Sequence, residues 1–105
     1  MMTYAKTSEF DDEEVYLSEI AKVLSHPARI KIVKILQRTD SCMVKDIVKD
    51  LPLAQATVSQ HLKELKRVGL IEGEIDGPKI CYCLNKEELK KAQKAFIVLF
   101  KSVCC

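Results

Sequence analysis

Apolar positions recur along this chain with two periods, and the switches between them mark out its elements. From Glu13 onward, Leu17, Ile20, Ala21 and Leu24 fall at i, i+3, i+4 and i+7, the stripe of an amphipathic helix. Ser25-His26-Pro27 ends that helix and starts another, because proline fits the first turn of a helix but not its interior. Over residues 28–37, Ile30, Ile32, Val33, Ile35 and Leu36 make a stripe wide enough to be buried on two sides. Thr39-Asp40-Ser41 offers turn chemistry and an N-cap. Val44, Ile47, Val48 and Leu51 then repeat the helical spacing as far as Pro52. Val58, Leu62 and Leu65 give a fourth helix its inward face, with Gly69 placed as its C-cap. Residues 70–75 and 79–84 read as two short strands, and Asp76-Gly77 between them is a hairpin signal. Asn85 followed by Glu88 resembles a capping box at the start of a last helix. On that helix Leu89, Ala92, Phe96, Leu99 and Val103 keep a 3-4 spacing.

Two short helices joined by a tight turn and followed by a hairpin make the winged helix-turn-helix plan. Its second helix enters the DNA major groove, and its hairpin reaches the flanking backbone or minor groove. The predicted fold is therefore mainly α with a β-hairpin wing. A chain of 105 residues has room for one such domain. It divides into a flexible acidic N-terminus, 1–12, and a DNA-binding and dimerisation domain, 13–105. The apolar stripe of the last helix is too regular and too long for so small a domain to bury alone. It predicts a homodimer in which Leu89, Ala92, Phe96, Leu99 and Val103 meet Leu17, Ile20 and Leu24 across a twofold axis.

Charge adds to this picture. The whole chain carries a net +2, but residues 1–20 carry −5, residues 21–50 carry +4 and residues 51–70 carry +2. A basic middle suits a polyanionic partner. The helix around 54–68 narrows the choice. Opposite its apolar centre fall Ala56, Gln60, Lys63 and Arg67, with Gln55, Thr57 and Ser59 beside them. Glutamine can bond adenine in bidentate fashion, hydroxyls reach bases or phosphates, and Lys and Arg neutralise phosphate. An ordinary solvated helix face would more often alternate Glu with Lys. The wing contributes Lys79, its sole cation, among Glu72, Glu74 and Asp76. Double-stranded DNA is the expected partner; a protein-interaction module of the same fold is the alternative.

Three stretches carry a family resemblance: Leu24-Ser25-His26-Pro27-Ala28-Arg29-Ile30, then Gln55-Ala56-Thr57-Val58-Ser59-Gln60-His61-Leu62-Lys63-Glu64-Leu65, then Gly69-Leu70-Ile71. Together they resemble the ArsR/SmtB repressors, over about residues 20–84. The resemblance implies a homodimeric winged-helix repressor that leaves its operator when an inducer binds. Gln55, Ala56, Thr57, Ser59 and Gln60 match the family's recognition-helix positions. Ala54 stands where a serine N-cap is usual, which should loosen that helix start by ~1 kcal/mol.

No inducer layout of the family transfers intact. The arsenic repressors carry Cys-Val-Cys-Asp-Leu, where this chain has Met43-Val44-Lys45 before Asp46, with Cys42 one residue early. Zinc sensors use histidine on the last helix, which has none here, and persulfide sensors place cysteines where this chain has Lys34 and Phe100. Cys104 and Cys105 remain as the candidate inducer ligands, with Cys42 as a third. Two thiolates suit a thiophilic ion such as As(III), and a redox or persulfide signal is the alternative. No resident cofactor is expected. Alternation puts Cys81 and Cys83 together on one strand face, where inert side chains are the simpler expectation. His26 reads as a cap or packing residue and His61 as a hydrogen-bonded edge histidine. Neither has a partner at catalytic spacing, so no enzyme is expected.

Five cysteines without framework spacing argue against a secreted disulfide scaffold, and the acidic N-terminus lacks a secretory layout. The longest apolar run, 95–100, is far short of the ~20 residues of a membrane span. The expected compartment is the cytoplasm.

Overall fold

The structure, a computed structural model, describes residues 9–38, 51–74 and 81–101. The expected helix through Val44, Ile47 and Val48, the Asp76-Gly77 turn, Lys79, Cys42, Val103, Cys104 and Cys105 lie outside these residues. Within them run α1 (Asp12–Val23), α2 (Pro27–Gln37), α3 (Gln55–Arg67), β1 (Ile71–Glu74), β2 (Cys81–Leu84) and α4 (Lys86–Phe100).

Helix α1 begins one residue earlier than Glu13, and its cap explains why. The Asp11 carboxylate accepts from the Glu14 amide (2.8 Å), while Glu14 Oε1 accepts from the Asp11 amide (3.0 Å). This closed capping box satisfies two helix-end donors, and Asp12, Glu13 and Glu14 favour the positive end of the helix dipole. The buried face runs through Leu17, Ile20 and Val23, while Ala21 is exposed. Pro27 opens α2 as expected, with Ile32, Ile35 and Leu36 buried. Ile30, expected inside, remains 42% exposed.

Helix α3 is anchored by Val58, Leu62 and Leu65, all buried. It ends in a Schellman arrangement: the Leu70 amide donates to the Leu65 carbonyl (3.0 Å) and the Gly69 amide to that of Lys66 (2.9 Å). Gly69 has φ +86°, which glycine adopts without a Cβ clash. Leu70 is thereby used in the cap, and the strand starts only at Ile71.

Strands β1 and β2 pair antiparallel with Ile71 opposite Leu84, Glu72 opposite Cys83, Gly73 opposite Tyr82 and Glu74 opposite Cys81. Alternation then sends Ile71, Tyr82 and Leu84 inward. Cys81 and Cys83 share the other face with Glu72 and Glu74. Ile71 and Tyr82 are each 1% exposed, so the base of the wing is part of the core.

At the start of α4, Asn85 Oδ1 accepts from the Glu88 amide (3.2 Å), but the expected box is only half closed. The Asn85 amide donates instead to the Leu70 carbonyl (2.9 Å), and Glu88 Oε2 accepts from the Tyr16 hydroxyl (2.7 Å). A contact to α1 has taken the carboxylate that the local motif would use. Burial, and then the Glu88 carboxylate, raise the Tyr16 pKa above the usual phenol range, so this hydroxyl stays a donor.

The apolar stripe of α4 is split. Ala92 lies in the same core cluster as Ile20, with Leu24, Leu89 and Phe96 packed against it, and Leu17 is also buried. Ile20 and Ala92, expected to meet a partner across a twofold axis, are filled by their own chain, because α1 and α4 pack on each other. What remains outside is Leu99 together with Ile97, Val98 and Phe100, each 57–60% exposed.

Candidate nucleic-acid interface

Because Val58, Leu62 and Leu65 turn one face of α3 into the core, its opposite face is set by the helical period. Gln55, Ala56, Thr57, Gln60 and Lys63 are exposed there, and Ser59 is half-buried. Ala54 is the N-cap residue and contributes no side-chain bond, as expected of alanine. A shallow groove of 360 Å³ runs along this face, lined by Arg29, Ala56, Thr57, Gln60, His61 and Glu64. The amide of Gln60 and the hydroxyl of Thr57 give the groove side chains able to donate and to accept hydrogen bonds.

Arg67 has a different setting from the one its phase suggested. Its Nε and Nη2 donate to Glu64 Oε1 (3.2 and 3.0 Å), and Nη1 lies 3.7 Å from Glu19 on α1. These acids, Glu64 first, raise its pKa and draw its charge back toward the protein. Lys66 bonds the wing, with Nζ donating to the Gly73 carbonyl (2.6 Å). The basic end of α3 thus locks the helix to α1 and β1. The wing residues Glu72 and Glu74 are exposed.

His61 is the edge histidine that its phase indicated, half-buried and accepting at Nδ1 from Arg29 Nε (3.0 Å). Burial first, then the charges of Arg29 and His26, push its pKa below the ordinary imidazole value. His26 holds the N-cap position of α2 without a side-chain cap bond, and its ring centroid lies 5.7 Å from that of His61. Arg29 was not among the expected site residues. Its signal in the sequence was an arginine in the first turn after His26-Pro27, but nothing local said which residue it would reach.

Cys81 and Cys83 are half-buried and in no disulfide. Among the described residues no three His, Cys, Asp or Glu side chains are grouped to hold a metal ion. Nor is any described helix long and apolar enough to cross a membrane.

The family model "Bacterial regulatory protein, arsR family" matches residues 26–72, from the start of α2 to the first strand. The transcriptional repressor SmtB of Mycobacterium tuberculosis (strain CDC 1551 / Oshkosh) is 39% identical over 71 residues, covering 68% of this chain and 52% of that protein. A CadC homologue from Staphylococcus aureus, a cadmium resistance transcriptional regulatory protein, is 30% identical over 82 residues, covering 77% of this chain and 68% of it. The chain belongs to the ArsR family. It spans about half the length of its mycobacterial relative. The solved structure of reduced HlyU from Vibrio cholerae N16961 superposes with a TM-score of 0.65 at 22% identity, covering 93% of this chain and 99% of that one. That likeness shows the fold: a winged helix, with α3 directly ahead of the β1–β2 hairpin.

Proposed function

We propose that this ArsR-family chain is a repressor that binds an operator inverted repeat as a homodimer, through α3, and leaves it on a thiol-reactive signal. The observation that carries the DNA reading is the two-faced character of α3. Val58, Leu62 and Leu65 are at most 3% exposed, while Gln55, Ala56, Thr57, Gln60 and Lys63 face outward. Gln60 is the base reader in this reading, and Lys63 is a phosphate contact. Ser59 and Thr57 flank them, and Lys79 of the wing is a further phosphate contact. Arg67, held by Glu64 and Glu19, contributes less than its position on the helix suggests. The test starts from duplexes enriched from a random pool by the parent protein. Gln60→Ala is expected to cost ~1–3 kcal/mol on the selected duplex and to relax its sequence preference. Lys63→Ala is expected to weaken all duplexes about equally and to flatten the salt dependence. Normal binding by Gln60→Ala would place the reading face elsewhere.

The signal in this reading is a thiophilic ion or arsenical held by Cys104 and Cys105, with Cys42 or a partner subunit supplying a third sulfur. The name of the staphylococcal relative, a cadmium resistance regulator, supports a soft metal as its class. Such a ligand acts by favouring a dimer geometry that misplaces the two copies of α3. A coupling of ~1–3 kcal/mol changes operator affinity ~5–150-fold. Cys104→Ser/Cys105→Ser is expected to bind the duplex like the parent and to keep it when Cd²⁺ or phenylarsine oxide is added. Normal release would exclude the pair and turn attention to Cys81 and Cys83.

A further inference from the structure

Arg29 sits where three helices meet. It lies in the first turn of α2, its Nη1 donates to the carbonyl of Val23 at the end of α1 (3.0 Å), and its Nε donates to His61 Nδ1 in the middle of α3 (3.0 Å). The guanidinium is a rigid planar fork, so fixing two of its donors fixes its plane and, through it, the imidazole. The bond also decides the state of the ring. A guanidinium has no acceptor to offer, so Nδ1 must be unprotonated and the ring proton resides on Nε2.

An imidazolium cannot make this contact. With both nitrogens protonated, His61 has no lone pair for Arg29, and its charge faces the guanidinium and the His26 ring at 5.7 Å. Among the described residues, the carboxylate lining the same groove is Glu64 on α3, which is engaged by Arg67 at 3.0 Å. The groups around His61 therefore accommodate its neutral form.

We propose that Arg29 and His61 form a positioning clasp that seats α3 against α1 and α2, closed while His61 is neutral and opened by acid. Its functional consequence rests on the DNA reading of α3, while the clasp itself rests on the geometry alone. His61 shares its groove with Ala56, Thr57 and Gln60, so release of the ring frees the DNA-facing surface from its register with the rest of the domain. The direction of the pH effect follows from linkage. The folded-state pKa of His61 is depressed, so the unfolded chain binds the proton more readily. The clasp's stabilisation is fully present above the ordinary imidazole value of about 6.5 and is lost as pH falls through the lower folded-state value.

Acid ordinarily tightens DNA binding by adding positive charge, so a loss of affinity on acidification has the opposite sign to the generic effect. The experiment measures affinity for the pool-selected duplex by fluorescence anisotropy from pH 8 to pH 5, for the parent, Arg29→Lys, His61→Leu and His61→Asn. Alongside, ¹H–¹⁵N spectra read the His61 tautomer and the amide exchange of α3. The parent is expected to lose up to about tenfold in affinity per protomer and pH unit once below the His61 pKa, so up to about a hundredfold per pH unit for a dimer on its inverted repeat. His61→Asn keeps an acceptor near the Nδ1 position that acid does not protonate. It is expected to hold whatever affinity it has at pH 7.5 down to pH 5, without the acid loss. Arg29→Lys and His61→Leu should already be weakened at pH 7.5, with faster exchange in α3. A parent whose affinity rises steadily toward pH 5, or a His61→Asn variant with the parent's acid loss, overturns the proposal. Failure to enrich any duplex overturns the DNA reading instead. The clasp is then judged by the spectra, and a His61 proton on Nδ1 at pH 7.5 excludes it.

Discussion

On the proposed homodimer, the parent is expected to sediment as a dimer and a Leu99→Glu/Phe100→Glu variant as a monomer at the same concentration. Four consecutive large apolar residues, Ile97 to Phe100, are 57–60% exposed at the end of α4, a concentration of apolar surface that marks a binding face. A twofold interface uses the same patch on both copies, so each substitution counts twice. Taking about 1 kcal/mol for the remaining burial of each side chain, the four replaced side chains remove ~4 kcal/mol, or about a thousandfold in dimer affinity. These positions are preferable to Phe96 or Ala92, which pack within the chain's own core, so the variant should melt like the parent while losing its partner. A monomer keeps one copy of α3, and a single winged-helix module buries only ~600–1,000 Å² on DNA. Its binding to an inverted repeat should fall toward the non-specific level. An unchanged dimer by sedimentation would move the interface away from α4.

Gly73→Ala is expected to detach the wing. Gly73 has φ +124°, a conformation that side-chain-bearing residues rarely adopt. A methyl group there would run into the Cys81 carbonyl oxygen and come within 2.8 Å of the Tyr82 Cα. Both are backbone atoms of β2 and cannot rotate aside. Tyr82 pairs with Gly73 in the ladder and is 1% exposed, so pushing β2 away also draws a core side chain outward. The Gly73 carbonyl is the acceptor for Lys66, which couples the same displacement to the end of α3. Strain and overpacking together should lower unfolding stability by about 2 kcal/mol or more. The checks are a urea titration and the amide signals of Ile71–Glu74 and Cys81–Leu84. A variant of parental stability with those signals unmoved would show that the two strands separate at little cost.

How far the sequence could be read depended on the reach of each interaction. The Pro27 helix start, the Gly69 cap and the Asn85 cap involve residues within a turn or two of one another, and each was legible. The Asp11 box was equally local, and its Asp-x-x-Glu spacing stood in the chain although the helix start was read from Glu13. The inward face of α3 followed from three residues at helical spacing, and with it the outward face that carries Gln60 and Lys63.

By itself, then, the sequence determined the helices and strands of the described residues, the outward face of α3 and the ArsR resemblance. Only the tertiary structure decided what those elements meet. A stripe such as Leu89, Ala92, Phe96 and Leu99 states that a face is apolar, and periodicity is silent about whether the chain's own α1 or another molecule covers it. The packing of α1 on α4 buried its first half and left its second half outside. Long-range polar contacts were equally hidden: Tyr16 bonds Glu88 across 72 positions and Arg29 bonds His61 across 32. Such pairs have no spacing rule, because their partners are chosen by how whole helices cross. An arginine in a motif and a histidine on a helix edge thus became one contact only once α2 and α3 were packed together.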